Sequence, residues 1–158
     1  MNDDGSFKDT LRMSSDFYVL RQDRNATNIF APKGSDLNIV YNAKKKDSTL
    51  QLSGSENSTN KYILDKEKVT KTIRGDEKEL YLKNEADFKT HLLKIKTAQE
   101  DLLSKAKGVS NEYRSSEIKN INYEFLSTLS NYQTYHGYYI KDRSFKVSDN
   151  FLAELNYC

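Results

Sequence analysis

The spacing of apolar residues changes character once along this chain, near Ser55, and that change constrains the fold more than any other feature. Before it, hydrophobic residues come in short alternating runs; after it, they recur every three or four residues. A period of two belongs to a half-buried strand, and a period near 3.6 to a helix with one apolar stripe. The chain therefore reads as α+β. Residues 1–54 are expected to form an antiparallel β-sheet of about five short strands, and residues 55–158 an antiparallel helical region of three to four helices.

The strand runs fall at 6–11, 17–22, 28–31, 37–41 and 49–52, each carrying aromatic, β-branched or leucine residues. Turn formers separate them, including Ser14-Ser15-Asp16, Asp23-Arg24-Asn25 and Pro32-Lys33-Gly34-Ser35. Phe17, Val19 and Arg21 share one face; Tyr18, Leu20 and Gln22 share the other. Loops of this length join antiparallel hairpins. The open edges of such a sheet call for cover by further strands or by helices.

Only one proline and six glycines occur in 158 residues, so long helices are expected in the remainder. The first spans 59–74, capped by Asn57 or Ser58 and stopped at Gly75, with Tyr62, Lys66, Val69 and Ile73 on one stripe. A charged loop, 76–79, follows. The second helix starts at Asn84 or Glu85. Its stripe is Phe88, Leu92, Ile95, Gln99, Leu102 and Ala106, with Gly108 placed for a left-handed cap. Ser110 caps the third, with Ile118, Ile121, Phe125, Leu129 and Tyr132 in register. A loop of about two or three residues between these two predicts an antiparallel helical hairpin. A fresh helix start is read at Ser148.

Composition limits the function classes. Charged residues make up 30% of the chain but nearly cancel, at a net of +2, which argues against nucleic-acid binding. No stretch approaches the roughly 18 apolar residues of a membrane span. Met1 leads into Asn-Asp-Asp rather than a basic start and an apolar run, so no signal peptide is read in this chain. Both ends look clipped. The lone cysteine, Cys158, can form no internal disulfide, CxxC pair or zinc site.

Residues suited to chemistry are scattered. His91 and His136 have no metal-pair spacing and read as surface or half-buried side chains. Asp76-Glu77 and Glu85/Asp87 read as caps and helix-dipole partners. Lys33-Gly34-Ser35 lacks the rest of a phosphate-binding loop. No catalytic residue, cofactor site or metal site is assigned, and the chain is not expected to be an enzyme. The tyrosine cluster stands out instead. Tyr132, Tyr135 and Tyr139 fall at steps of three and four and extend the stripe of the third helix, with Tyr138 beside them. They read chiefly as a packing face. The functional alternative is a protein-binding interface of Tyr132, Tyr135, Tyr138 and Tyr139, because tyrosine buries area while keeping a polar tip. Gly137 weakens the helix there and favours a bend before Lys141-Asp142-Arg143.

Several fragments, in order, resemble a known family. Asp4-Gly5-Ser6-Phe7-Lys8-Asp9-Thr10-Leu11, Asp36-Leu37-Asn38-Ile39, Leu50-Gln51-Leu52-Ser53-Gly54 and Asn60-Lys61-Tyr62-Ile63-Leu64 look like the segment ahead of the thioredoxin domain in TlpA/ResA-like thiol–disulfide oxidoreductases of Bacteroidetes. Tyr123-Glu124-Phe125-Leu126, Asn131-Tyr132, Tyr135-His136-Gly137-Tyr138-Tyr139 and Phe145-Lys146-Val147-Ser148 resemble the helical linker of the same proteins. The resemblance covers nearly the whole chain and includes no catalytic motif. It implies a periplasmic, envelope-localised parent whose thioredoxin domain exchanges disulfides through a CxxC pair. This chain lacks that pair. The expectation is a non-catalytic accessory module that positions the redox domain or binds clients. Its partners would be its own redox domain, client proteins or a second copy, with dimerisation through the sheet edge or Cys158. The alternative is a stand-alone binding or structural protein that uses the sheet edge or the tyrosine face.

Overall fold

The computed structural model describes residues 8–10, 12, 15–22, 25–45 and 49–153. It divides into two compact units, Met1–Asn57 and Ser58–Cys158.

In the first unit, β1 (Phe17–Gln22) pairs antiparallel with β2 (Asn25–Phe30), and β3 (Leu37–Val40) pairs antiparallel with β4 (Gln51–Gly54). The class is α+β, but the described residues hold four strands in two separate hairpins, where about five in one sheet were expected. Alternation identifies a strand; it does not choose the partner, and here each strand takes its nearest neighbour in sequence. Residues 8–10 of the expected first strand are not extended into a ladder, and 6, 7 and 11 lie outside the described residues. The expected strand 49–52 is displaced to β4. Gly54 ends β4 at the open end of that hairpin with φ +101, and a Cβ there would stand 2.3 Å from the Asp36 carbonyl oxygen. On the first hairpin, Tyr18 and Leu20 lie opposite Ile29 and Thr27, which are buried; Phe17 and Val19 lie on the exposed face.

The second unit is helical. It comprises α1 (Asn57–Arg74), α2 (Glu77–Tyr81), α3 (Glu85–Lys105), α4 (Asn111–Ser130) and α5 (Tyr132–Tyr139). Among its described residues five α-helices stand where three to four were expected. The loop expected at 76–79 is helical because Asp76 caps it, its carboxylate accepting from the Glu79 N–H at 3.0 Å. Asn84 caps α3 and Ser110 caps α4 in the same way. Gly75, with φ +65, ends α1. From Ser148 the chain makes a turn, with the Phe151 N–H on the Ser148 carbonyl, and it enters a 3-10 turn at Ala153; residues 154–158 of the expected helix lie outside the described residues.

Three long helices form a bundle. Arg114 lies at Leu103, Asn122 at Lys96 and Glu124 at Gln99, so α3 and α4 run antiparallel. The connection spans 106–110, longer than expected, because α3 stops at Lys105 and Gly108 falls in the turn beyond. Arg114 closes this corner by donating to the carbonyls of Leu103 and Ala106 at the end of α3. Tyr62 and Lys66 meet Glu117 and Glu124, and Thr70 meets Gln99, so α1 runs along α4 and against α3.

The core cluster includes Leu80, Tyr81, Phe88, Leu92, Ile95, Phe125, Leu126, Leu129, Tyr132 and Phe151. Two stripe residues differ from expectation. Leu103, not Leu102, is buried at the end of α3, because the two straddle the stripe. Ile118 is 56% exposed, and Tyr113, Glu117, Ile121, Phe125 and Leu129 line the inner side. Steps of four drift by roughly 40° each on a helix of 3.6 residues per turn. The buried stripe thus rotates along α4, and its first half turns Ile118 outward.

Glu117 is buried at 5% exposure, yet charged. Its Oε1 accepts from the Tyr62 hydroxyl at 2.9 Å and from Lys66 Nζ at 2.7 Å. Removing the carboxylate strands the buried Tyr62 hydroxyl and leaves the Lys66 ammonium with the exposed Glu124 alone. Glu117→Ala is expected to destabilise the protein by about 3 kcal/mol, and Tyr62→Phe by about 1 kcal/mol. Chemical denaturation measures both; equal, small effects would show that the carboxylate is not essential to the bundle.

Candidate protein-binding face

The tyrosines of α5 divide between inside and outside. Only Asn131 separates α4 from α5, so α5 inherits the direction of the longer helix. Tyr132 is 1% exposed. Its ring lies 4.4 Å from that of Phe88 and 4.9 Å from that of Phe151, and its hydroxyl donates to the Lys83 carbonyl at 2.6 Å. Burial, with Glu85 nearby, pushes its phenol up to about 12. One turn on, His136 places Nδ1 2.7 Å from the Tyr81 carbonyl at the end of α2, a donation that satisfies a last-turn acceptor. His91 does the same for Ile73 at the end of α1. Both histidines are half-buried and serve helix ends.

Tyr135 and Tyr139 form the rim. Their rings lie 4.8 Å and 6.4 Å from Tyr81, on α2. Tyr135 remains 41% exposed and Tyr139 is half-buried. Desolvation, then the charge of Glu77, raises the Tyr139 phenol. Tyr138 is the outer member, 72% exposed, with its ring edge-on to Tyr139 at 5.2 Å. Ile140 and Leu82 add exposed apolar surface at the ends of the same two helices. Of the four tyrosines singled out in the sequence, three present surface and Tyr132 does not.

The chain turns back sharply after this ridge. The Asp142 N–H reaches the Gly137 carbonyl and the Lys141 N–H reaches that of Tyr138, with Lys141 itself at φ 60. This is a Schellman cap with lysine where glycine is usual. Gly137 does not bend the helix; it is buried inside α5, and a Cβ there would stand 2.7 Å from the Asp142 carbonyl oxygen. The returning segment leaves a half-open groove of about 330 Å³, lined by Tyr138, Arg143, Phe145 and Lys146 among others.

Sequence reasoning missed a polar chain that crosses the bundle from the buried Glu117 to the exposed Glu124. Lys66 is shared between Glu117 and Glu124, and the other Glu124 oxygen accepts from Gln99, which also donates to Thr70. Lys66 and Gln99 sat on the apolar stripes, and that misplacement was the available signal. The adjoining cleft, bounded by Arg74, Lys96, Gln99 and Glu124 among others, holds only about 20 Å³, room for one water. Asp76 and Glu85 act structurally: Asp76 caps α2, and Glu85 accepts from the Ser148 N–H and hydroxyl. Among the described residues, no group of three or more His, Cys, Asp and Glu side chains could hold a metal ion, and no helix is long and apolar enough to cross a membrane. Cys158 lies outside the described residues.

No family model, curated protein or solved structure matches this chain.

The split between inner and outer tyrosines has measurable consequences. Tyr132→Ala is expected to destabilise by about 3–5 kcal/mol, and Tyr138→Ala by less than about 0.5 kcal/mol; thermal melts decide between them. Gly137→Ala is expected to destabilise despite alanine's better helix propensity, because the new methyl meets backbone rather than a movable side chain. Alkali provides a third measurement. Burial raises the phenols of Tyr62, Tyr113 and Tyr132, so the folded state holds protons that the unfolded chain releases near pH 10. The contribution of these tyrosines to stability is therefore expected to be level below pH 10 and to fall as pH rises toward about 12. Tyrosinate absorbance for the buried set should appear with unfolding; free titration of all tyrosines near pH 10 in the folded state would contradict this.

Proposed function

We propose that this chain is a non-catalytic accessory module of an envelope thiol–disulfide oxidoreductase, and that the α5 tyrosine ridge contacts the redox domain or its clients. The observation that carries the reading is the exposure of Tyr138 beside two tyrosines already seated on Tyr81. A large aromatic with a polar tip on a rigid base is the kind of side chain that anchors protein interfaces. Five of the eight fragments that resemble the TlpA/ResA-like proteins lie in the helical unit, and the other three in the first unit. Asn60 and Tyr62 are buried on α1, and Tyr132, His136 and Gly137 hold α5 against its neighbours. These residues serve packing, and the family reading rests on the resemblance alone.

A second reading, a stand-alone binding protein that uses a sheet edge, draws on the first unit. Among the described residues its four strands each have a ladder partner on one side only, and Phe17, Val19 and Val40 are exposed at 53%, 49% and 55%. Such edges pair readily with another chain.

Two measurements test the main reading. The purified chain is expected to leave the dithiothreitol-driven reduction of insulin disulfides unaccelerated; acceleration would overturn the non-catalytic assignment. In the native host, Tyr138→p-benzoylphenylalanine is expected to cross-link, on illumination, to a thioredoxin-fold protein with a CxxC pair or to one of its clients. Adducts formed instead by the same probe at Val19 would favour the sheet-edge reading.

A further inference from the structure

Tyr138 belongs to two surfaces at once: the aromatic ridge and the groove beside it. The groove's wall is the segment that the Schellman cap folds back, with Phe145 half-buried along it and the ring of His136 4.5 Å from that of Phe145. Its charged members are Asp142, Arg143 and Lys146. They do not cancel. Asp142 Oδ1 accepts from the Ser144 N–H at 2.9 Å and the Ser144 hydroxyl at 2.6 Å, so its charge is turned into its own loop. Arg143 and Lys146 are exposed and make no ion pair among the described residues. Lys141, also exposed, adds a third positive charge at the cap.

We infer that this groove takes an acidic protein segment, with one aspartate or glutamate carboxylate facing Arg143 and Lys146 and a neighbouring apolar side chain lying against Tyr138 and Phe145. The inference rests on the interface reading above and names the chemistry of the partner. The argument is charge complementarity. Two unpaired cations at the rim of a groove attract a carboxylate, and arginine's planar fork binds it with two parallel hydrogen bonds. A volume of about 330 Å³ lies at the small end for ligand sites, which suits one or two side chains of a peptide better than a folded surface. The aromatic wall supplies apolar burial, and the cations supply orientation and a faster encounter.

The test is fluorescence anisotropy with the full chain and two labelled peptides. One carries alternating glutamate and leucine around a central phenylalanine; in the other every glutamate is glutamine. Binding of the acidic peptide alone is expected. The double substitution Arg143→Gln and Lys146→Gln should weaken it roughly 5- to 10-fold, as expected for two exposed charge pairs, and added salt should do likewise. The charge reversal Arg143→Glu with Lys146→Glu should prefer a lysine version of the peptide. Equal binding of both original peptides, no binding of either, or an acidic-peptide affinity unmoved by the double substitution would overturn the inference. So would equally tight binding of single-stranded DNA, which would make the groove a general polyanion site. The double variant's cross-linking from position 138 separates this from the parent reading: adducts that persist at wild-type yield leave the interface standing and remove the acidic partner.

Discussion

A carboxylate inside a helical bundle is stable only where a cation and hydrogen-bond donors meet it, and Glu117 sets that condition for the second unit. Lys66 and Tyr62 satisfy it from α1. The requirement is directional, unlike apolar contact, which tolerates a helix sliding by a turn. If α1 slid along α4 by one turn, the ammonium would leave the carboxylate and both charges would stay desolvated. Lys66 extends the constraint to Glu124, and Gln99 and Thr70 carry it back to α1 through α3. Three helices are thereby pinned at one level by groups that each have a partner.

The aromatic end depends on that pin. With α4 fixed against α3, its last turns deliver Tyr132 onto Phe88, and the tail closes with Phe151 against the same ring. Lys89 lies over the face of Phe151, 5.2 Å from its centroid. Helix α2, five residues long and too short to hold itself, is secured by Asp76 at one end and by the bond from His136 at the other. Tyr81 can then serve as the base for Tyr135 and Tyr139. Inner contacts thus prepare the outer surface, and the residues that shape it differ from those it exposes.

Much of this was legible before any coordinates. The change of period, the caps at Asn84 and Ser110, the stop at Gly75 and the strand at Phe17–Gln22 each depend on a few neighbouring residues, and such local rules transfer directly. What escaped depends on partners distant in sequence. Which strands pair is one example; the helical fate of the segment after Asp76 is another, since Leu80 and Tyr81 are held by core residues far along the chain. Gln99 reads as an interruption of an apolar stripe until Thr70 and Glu124 are seen beside it. The tyrosine spacing gave the face but not its depth, because Tyr132 and Tyr138 differ only in what packs over them.

The depth difference bears on how such a ridge would bind. An exposed tyrosine on a mobile segment loses rotamer freedom on association, and that loss opposes binding. Here the restriction is largely in place beforehand. Tyr135 and Tyr139 lie against Tyr81, Tyr138 leans on Tyr139, and the Gly137 close approach fixes the returning loop against the helix that bears them. The left-handed lysine at position 141 holds a conformation that costs an L-residue about 1–2 kcal/mol. That cost is met by the two cap hydrogen bonds and by Phe145 packed on the core cluster. The strain has a geometric result: it turns the chain within a few residues, so that Arg143 and Lys146 line the same groove as Tyr138. A looser turn would place the charges elsewhere along the surface. The ridge and the cations are therefore one feature of the fold, set by the cap that ends α5.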